Sequence, residues 1–294
     1  MGESRVEDFA LFLEGKQISL TEFDFSKGST IGVGGVGRAV FPRSFTECID
    51  VIEACHRYDY PYRVLGNLSN VLPPERDDQT IYVITKRLKG ITMGDAPLVH
   101  AGVTASQLLN ACKLHGKSGA EFLTGIPCTV GGAAYMNAGV SGRYFAEIVR
   151  SVIVYENGGL KTYSKEECGY SYKNSRFMQG GLILAVVLNL ENATPETVSQ
   201  NVRAYANRRA KLPTGKSMGC VFKNPDGISA GALIERAGLK GLRVGGAVVS
   251  TEHANFIINE GGATVADVQT LIQAVKDEVL RNSGVTLIEE IERL

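Results

Sequence analysis

The sequence predicts an α+β protein with a large first domain and a smaller second one. Short apolar strand patterns alternate with helical patterns up to about residue 195. The character of the chain changes there, and a long helical pattern with a clear start lies close to the carboxyl terminus. The chain has 294 residues, enough to bury a sizeable core, and we expect domains over residues 1–195 and 196–294.

The elements of the first domain follow a polar lead. Ser44 opens a helix that continues to about residue 58, because Glu47, three residues later, completes a capping box. The dipeptide Asn157-Gly158 predicts a hairpin turn. The remaining predicted elements are strands at residues 39–41, 62–65, 81–85, 98–101, 149–156, 160–163 and 182–190, a helix at 105–115 opened by Thr104, and a loop at 125–142.

The second domain begins with a basic helix at about residues 196–211. Its cationic side chains are Arg203, Arg208, Arg209 and Lys211. A stretch interrupted by glycines continues to about residue 259. The last helix, at 264–282, has apolar residues at helical spacing, and Thr264 with Asp267 three residues later predicts its start.

Composition excludes several classes of protein. Lysine plus arginine equals aspartate plus glutamate, 31 of each, so no basic surplus predicts a nucleic-acid partner. The amino-terminal segment carries acids and does not resemble a signal peptide, and no stretch approaches the roughly 20 apolar residues of a membrane span. The six cysteines form no CxxC pair, and the four histidines are isolated. We expect a cytoplasmic protein with reduced thiols and no metal site.

Two glycine-containing loops are candidates for binding a phosphate-bearing ligand. The first runs from Leu65 to Asn70 after a predicted strand, and the second is at residues 125–133. Glycine permits a positive φ angle and lets backbone amides approach a diphosphate closely. Neither loop matches the Walker or the GxGxxG pattern. Taken alone, each loop is more often a plain turn.

The surroundings of these loops carry a family resemblance. Residues 125–139, GIPCTVGGAAYMNAG, resemble the flavin-binding segment GIPGTVGGAxxMNAG of the UDP-N-acetylenolpyruvoylglucosamine reductase family. Ser69-Asn70 resembles the end of that family's GGGSN loop. Further similar segments lie at residues 30–35, 172–177, 219–225, 230–234, 238–241, 253–256 and 284–290. The motifs span about residues 28–293 in the family's order, and they are typical of its compact branch.

The resemblance implies a flavoenzyme of peptidoglycan precursor synthesis. It implies FAD in a two-lobed domain of the vanillyl-alcohol-oxidase type, a smaller α+β substrate-binding domain, and a carboxyl terminus that returns to the active site. In the reaction that the resemblance implies, NADPH reduces the flavin, which then reduces UDP-N-acetylglucosamine enolpyruvate to UDP-N-acetylmuramate. The partner is a UDP-sugar, and the family resemblance favours a monomer. Two alternatives stay open: a divergent flavoprotein with another substrate, and a UDP-sugar-binding protein without catalysis.

Three residues stand at the family's catalytic positions. Cys220 replaces the proton-donating serine, and an unperturbed thiol, with a pKa of about 8.5, is mostly protonated near pH 7. Glu290 matches the glutamate near the carboxyl terminus, although a shift to Glu289 is possible. Lys173 replaces an arginine that braces the substrate carboxylate. Arg176 is a weaker candidate for that role, because in a strand it would point to the opposite face.

The remaining site residues follow from the same motifs. The cofactor-binding candidates are Gly66, Asn67, Leu68, Ser69, Asn70, Gly125, Thr129, Gly131, Gly132 and Asn137. The substrate-binding candidates are Lys211, Asn224 and His253. Two departures from the family concern the flavin loops: Leu68 stands where a glycine is usual and tolerates positive φ poorly, and Cys128 brings a side chain toward the expected diphosphate.

Overall fold

The computed structural model describes residues 2–76, 79–225 and 227–294, with side chains from residue 6 onward. Helices and sheets are mixed along the chain, which confirms the predicted α+β class. The helices are α1 (Gly2–Gly15), α2 (Phe25–Gly28), α3 (Phe45–Arg57), α4 (Ala105–His115), α5 (Val130–Met136), α6 (Pro195–Arg209), α7 (Ala230–Arg236) and α8 (Val265–Ser283). No described helix is long and apolar enough to cross a membrane.

The strands are short and numerous. Those up to residue 140 are β1 (Thr21–Asp24), β2 (Val36–Val40), β3 (Tyr62–Leu65), β4 (Val71–Leu72), β5 (Ile81–Ile84), β6 (Ile91–Thr92), β7 (Leu98–His100), β8 (Lys117–Ser118) and β9 (Gly139–Val140). The others are β10 (Arg143–Tyr144), β11 (Val149–Glu156), β12 (Gly159–Ser164), β13 (Leu182–Leu188), β14 (Glu191–Asn192), β15 (Lys216–Cys220), β16 (Arg243–Val244), β17 (Ala247–Val249), β18 (Phe256–Asn259) and β19 (Glu292–Arg293).

The chain forms two compact units. The first unit contains residues 2–21, 38–67 and 79–210. In it β2 and β3 flank β5 in a parallel sheet, and an antiparallel sheet has the order β12-β11-β13-β7-β6. One hydrophobic core runs through the unit, and the apolar faces of α3 and α4 pack into it. Burying these side chains supplies most of the free energy that stabilises the unit.

The second unit contains residues 22–37, 68–76, 211–225 and 227–294. Its antiparallel sheet has the order β15-β18-β17-β16, and α7 and α8 pack in the same core. A separate parallel pair joins β19 to β4. The units divide the carboxyl-terminal half of the chain between residues 210 and 211, whereas the predicted domain boundary at residue 195 lies at the first residue of α6. The compact units are defined by their internal contacts and do not test independent folding. The domain boundary at residue 195 therefore stays a prediction.

The predicted helix starts agree with the structure. Ser44, Thr104 and Thr264 accept hydrogen bonds from backbone amides three residues later, in each case through the side-chain oxygen. An N-cap of this kind contributes about 0.5–2 kcal/mol to stability because it satisfies an amide that the helix itself cannot. The hairpin at Asn157-Gly158 is also confirmed, since Glu156 pairs with Gly159.

The structure corrects one sequence expectation, the loop at 125–142, and adds elements in two segments that the sequence left unassigned. The polar lead is helix α1, and its Phe9 and Leu13 are buried in the first core. The expected loop at 125–142 contains helix α5. The stretch interrupted by glycines in the second domain contains four strands and α7. In the last two cases most of the glycines lie at positions where a side chain would meet neighbouring backbone or where φ is positive.

Candidate active site

The predicted site residues are distributed over both units. The first unit holds Gly66, Asn67, Gly125, Thr129, Gly131, Gly132, Asn137 and Lys173. The second unit holds Leu68, Ser69, Asn70, Lys211, Cys220, Asn224, His253 and Glu290. Each group is described within its own unit.

The two candidate flavin loops touch each other in the first unit. A Cβ atom at Gly66 would lie 2.4 Å from the Thr129 hydroxyl, so only glycine allows this approach. The Asn67 side chain donates a 2.7 Å hydrogen bond to the Pro127 carbonyl. The second loop is also close to a cation, because a Cβ atom at Gly125 would lie 2.8 Å from Arg209 Nε. The sequence predicted both loops but gave no sign of the contact between them.

Leu68 adopts the left-handed conformation that the sequence made doubtful. Its φ angle is +54°, and its side chain is only 2% exposed. The left-handed region costs roughly 1–2 kcal/mol for a residue with a Cβ atom. Burying a leucine side chain contributes about 1.5–3 kcal/mol, which offsets that cost. The Thr30 amide donates to the Leu68 carbonyl at 3.3 Å, which also fixes this peptide, and the Thr30 hydroxyl donates to the Ser217 carbonyl at 2.7 Å.

Backbone amides of the first loop are available to a ligand. Within the described part of the chain, none of the amides from residue 66 to residue 70 donates a hydrogen bond. Consecutive unbonded amides in a loop with a left-handed residue form a concavity that suits phosphate oxygens. The assignment of this loop to the FAD diphosphate stays a prediction, and the unbonded amides support it.

The first amides of α5, unlike those of the first loop, donate hydrogen bonds to other groups of the protein. The Val130 amide donates to Val103 and the Gly131 amide to Ala101, both at 2.8 Å. The Gly132 amide donates to the Thr129 hydroxyl at 3.2 Å, which caps the helix. A Cβ atom at Gly131 would lie 2.8 Å from that of Ala101, so this glycine permits close packing against the sheet. The first amides of α5 thus hold the loop in place, and the phosphate contacts are expected from the first loop.

Cys128 does not extend into solvent from the second loop. Its side chain is 8% exposed and lies in the hydrophobic core of the first unit. Burial raises the pKa of this thiol to about 12, so it stays protonated. The expectation that Cys128 brings its side chain toward the diphosphate was wrong, because the loop turns this side chain inward.

We expect Gly66→Ala to weaken FAD binding by about 10-fold or more, since a loss of about 1.4 kcal/mol suffices for that factor. The new methyl group must displace the Thr129 side chain, which caps α5. Flavin absorbance per mole of purified protein measures the effect. Gly159→Ala is the control, because nothing lies within 4 Å of its Cβ position. Equal flavin content in both variants would contradict the role of this contact.

Lys173 lies in a tight turn rather than a strand. Ser171 and Asn174 exchange backbone hydrogen bonds of 3.1 and 3.3 Å, and Lys173 between them has a φ angle of +52°. The argument that Lys173 and Arg176 point to opposite faces of a strand was therefore wrong. Arg176 is nevertheless engaged elsewhere, with its guanidinium 3.6 Å from the centre of the Tyr163 ring.

The turn that carries Lys173 is fastened to the end of α5. The Asn137 amide group donates to the Ser171 carbonyl at 2.8 Å, and its oxygen accepts from the Ala146 amide at 3.0 Å. Ser175 donates a short hydrogen bond to the Tyr135 carbonyl. Asn137 is 4% exposed and ends the helix in a left-handed conformation. The second flavin loop and the Lys173 turn are therefore joined through one short helix.

Cys220 differs from every other cysteine of the chain. It is partly exposed, whereas Cys48, Cys55, Cys112, Cys128 and Cys168 are buried. Burial raises the pKa of each of these five thiols, to about 11 for Cys168 and about 12 for the others. Cys220 closes β15 after Gly219, whose φ angle is +75°, at a register irregularity where it pairs with Phe256. A bulge of this kind redirects a side chain.

Glu290 lies on the segment beside Cys220 in the second unit. Its amide donates to the Val221 carbonyl at 2.8 Å, and the Lys223 amide donates to Ile288 at the same distance. The Asn70 side chain, at the end of the first flavin loop, donates to the Glu290 carbonyl at 3.0 Å. The second unit therefore brings together three of the predicted site residues: Asn70, Cys220 and Glu290.

The Glu289 carboxylate forms ion pairs with two neighbouring cations. Arg293 donates to both of its carboxylate oxygens, at 2.8 and 2.9 Å, and Lys276 lies at 3.2 Å. Burial opposes the charge of Glu289, but the hydrogen bonds from Arg293 and Lys276 outweigh it and lower the pKa of the carboxyl group. Neighbouring residues in an extended segment point to opposite sides. This arrangement favours Glu290 over Glu289 as the active carboxylate.

Glu289→Gln should lower the free energy of unfolding by about 1.5–3 kcal/mol at neutral pH, the value of a hydrogen bond to a charged group. The folded state lowers the pKa of Glu289 below its ordinary 4.5. Its contribution is therefore complete above pH 4.5 and disappears as the pH falls through the folded-state value. Urea unfolding of both proteins at several pH values measures this. A difference that stays constant with pH would contradict the ion pair.

Two of the three predicted substrate residues meet at the start of α7. The Asn224 side-chain oxygen accepts from the Ala230 amide at 2.9 Å. A Cβ atom at Gly231, in the same turn, would lie 3.4 Å from the His253 ring. Burial lowers the pKa of His253, and its Nδ1 accepts from the Asn255 amide at 3.3 Å, so the ring is neutral near pH 7. Lys211 is exposed at the beginning of the second unit, apart from these contacts.

Comparisons with known proteins agree with this geometry. Residues 37–162 match an FAD binding domain, and residues 210–294 match the UDP-N-acetylenolpyruvoylglucosamine reductase, C-terminal domain. The reductase of Chlamydia abortus is 36% identical over 273 residues, which cover 90% of this chain and 91% of the relative. That of Thermus thermophilus is 39% identical over 257 residues, covering 85% and 92%.

A solved structure leads to the same conclusion. The crystal structure of UDP-N-acetylenolpyruvylglucosamine reductase from Thermus caldophilus superposes with a TM-score of 0.83 at 35% identity, covering 94% of this chain and 99% of that one. The predicted fold, with an FAD-binding domain, and the predicted family are thereby confirmed. Similarity of this degree over nearly the whole length identifies the family: the chain belongs to the UDP-N-acetylenolpyruvoylglucosamine reductases.

Proposed function

We propose that this protein reduces UDP-N-acetylglucosamine enolpyruvate to UDP-N-acetylmuramate, with FAD as its cofactor and NADPH as the reductant. The observation that carries the proposal is the adjacency of the partly exposed Cys220 and the Glu290 segment, beside Asn70 of the first flavin loop. Bound FAD would supply the hydride chemistry between NADPH and the terminal vinyl carbon of the substrate.

Cys220 donates the proton that completes the reduction. Hydride addition to one vinyl carbon leaves an electron pair on its neighbour, beside the carboxylate, and a proton from the thiol forms the second C–H bond. The thiol is regenerated from solvent. Glu290 organises this proton transfer, and the fixed carboxylate of Glu289 supports the choice of Glu290. A thiol in place of the family's serine is a stronger acid and suits the role.

Lys173 stabilises the negative charge of the substrate carboxylate and of the carbon next to it. A cation that is already oriented before the reaction lowers the barrier most effectively. The tight turn and the bonds from Asn137 and Ser175 support this role, because they fix the backbone of a residue whose side chain is flexible. Lysine supplies one point charge where the family's arginine supplies a planar fork, so the orientation depends more on the turn.

Lys173→Met should lower kcat/KM for the enolpyruvyl substrate by about 10- to 100-fold, as expected when a charged hydrogen bond of about 1.5–3 kcal/mol is lost. Reduction of the flavin by NADPH should not change. Lys173→Arg, which restores the family's residue, is the matched control and should keep the activity. Stopped-flow measurement of both half-reactions separates these outcomes. Wild-type kinetics in Lys173→Met would remove Lys173 from the mechanism.

Cell context and assembly follow from simpler observations. We propose a cytoplasmic monomer with no nucleic-acid or membrane partner and with a UDP-sugar as its substrate. None of the six cysteines forms a disulfide bond, which agrees with a reducing compartment, and basic and acidic residues balance at 31 each. Size-exclusion chromatography with light scattering tests the monomer.

The deciding experiment for the function is direct. Purified protein should be yellow from bound flavin, and the enolpyruvyl UDP-sugar should trigger consumption of NADPH. Flavin-loaded protein that shows no substrate-dependent turnover would overturn the proposal and leave a flavoprotein with another substrate. Colourless protein that still binds the UDP-sugar would indicate a binding protein.

A further inference from the structure

The residues that follow Cys220 are held by a single buried asparagine. The Phe222 amide donates to the side-chain oxygen of Asn255 at 2.9 Å, and the Asn255 side-chain nitrogen donates to the Phe222 carbonyl at 2.8 Å. The Val221 amide donates to the Asn255 carbonyl, also at 2.8 Å. Asn255 is 3% exposed. Both hydrogen-bonding functions of its side chain are therefore used on one residue of the neighbouring segment.

This segment lies between Asn255 and the carboxylate-bearing strand. The Val221 amide donates to the Asn255 carbonyl, and the Val221 carbonyl accepts from the Glu290 amide at 2.8 Å. Phe222 also forms a β-bridge with Glu289. The position of the Cys220–Val221 peptide relative to Glu290 is thus set from one side by Asn255 and from the other by the carboxyl-terminal segment.

The irregular end of β15 explains why this segment needs the hydrogen bonds from Asn255 to Phe222, which we call the Asn255 clamp. Regular pairing of β15 with β18 is interrupted between Ser217 and Cys220, and Gly219 has a positive φ angle. A bulge leaves ladder hydrogen bonds unmade, and buried backbone groups without partners are costly. The Asn255 side chain satisfies the Phe222 amide and carbonyl just after the end of β15, because its own amide offers one acceptor and one donor like a backbone peptide.

We propose that Asn255 is a positioning residue for catalysis: by holding Phe222 it fixes the Cys220 thiol against Glu290 for proton transfer. This inference rests on the proposed role of Cys220 as the proton donor. Asn255 acts through the backbone and does not itself move a proton.

The experiment compares four variants of the FAD-loaded protein. Asn255→Ala removes both side-chain bonds, and Asn255→Asp keeps the shape and the acceptor but loses the donor. Val268→Ala removes buried apolar volume from α8 in the same core, so it is the control for a purely structural loss. Cys220→Ala tests the underlying role. Each protein is assayed for flavin reduction by NADPH, for reoxidation by substrate, and for the rate of Cys220 alkylation by iodoacetamide across pH.

Asn255→Ala should slow reoxidation by substrate by about 10- to 100-fold, the range caused by displacing a reacting group by about 1 Å. Reduction by NADPH should be unchanged, Asn255→Asp should be intermediate, and alkylation of Cys220 should become faster and lose its wild-type pH profile. Val268→Ala should change none of these. Wild-type reoxidation and alkylation in folded Asn255→Ala, or equal loss in both half-reactions, would overturn the inference.

Two further results keep the test decisive. If the substrate reoxidises the flavin of Cys220→Ala at the wild-type rate, the proposed role of Cys220 fails. If reoxidation is normal in the Asn255 variants but slow in Cys220→Ala, only the positioning role of Asn255 fails. If Asn255→Ala does not fold, hydrogen exchange of the wild-type protein replaces it. The Val221 and Phe222 amides should then be protected as strongly as the amides of β18, and rapid exchange at both would overturn the clamp.

Discussion

Cys220→Ala should slow the reoxidation of reduced flavin by the enolpyruvyl substrate by about 10²- to 10⁴-fold, the usual contribution of a general acid. Alanine cannot supply the proton that follows hydride transfer. The carbon next to the substrate carboxylate must then be protonated by water, which is slower. Reduction by NADPH needs no proton from this residue and should stay at the wild-type rate. Stopped-flow absorbance of the flavin follows both half-reactions separately.

Matched cysteine variants make this test specific. Cys220→Ser, which restores the family's residue, should retain most of the activity, and iodoacetamide should inactivate the wild-type protein but not Cys220→Ser. Cys112→Ala changes a thiol in the first core and should leave the kinetics unaltered, because burial raises the pKa of that thiol to about 12. If Cys220→Ala loses both half-reactions equally, the thiol is structural and the proton comes from elsewhere.

Local signals explain the part of the fold that the sequence predicted well. The caps at Ser44, Thr104 and Thr264 act within three residues, so the sequence contains everything that decides them. Helix α1 was missed although Phe9 and Leu13 have the i, i+4 spacing of a buried helical face. That signal was short, and the acidic residues around it obscured it.

Long-range contacts explain what the sequence could not supply at the site. The family motifs located Cys220, Lys173 and Glu290, but no sequence pattern shows that Asn137 fastens the Lys173 turn to α5. Asn255 lies within a motif already noted, yet its partner Phe222 is 33 residues away along the chain. Pairings of this kind depend on which segments the sheet brings together, and that information is not local.

The two neighbouring glutamates offer the second large effect. Glu290→Gln should slow reoxidation by substrate by about 10²-fold or more, since it removes the carboxylate that organises proton transfer while keeping nearly the same volume. NADPH-driven reduction should not change. The backbone hydrogen bonds of Glu290 should be kept, because they are made by its amide and carbonyl.

Glu289→Gln is the control that the chain itself provides, because it makes the same chemical change one residue earlier. Arg293 and Lys276 hold the Glu289 carboxylate, so its loss should reduce stability and leave both half-reactions near their wild-type rates. The pair therefore tests which of the two neighbouring carboxylates acts in catalysis. If Glu289→Gln abolishes reoxidation and Glu290→Gln does not, the assignment is shifted by one residue, and the Arg293 and Lys276 contacts then belong to the catalytic carboxylate.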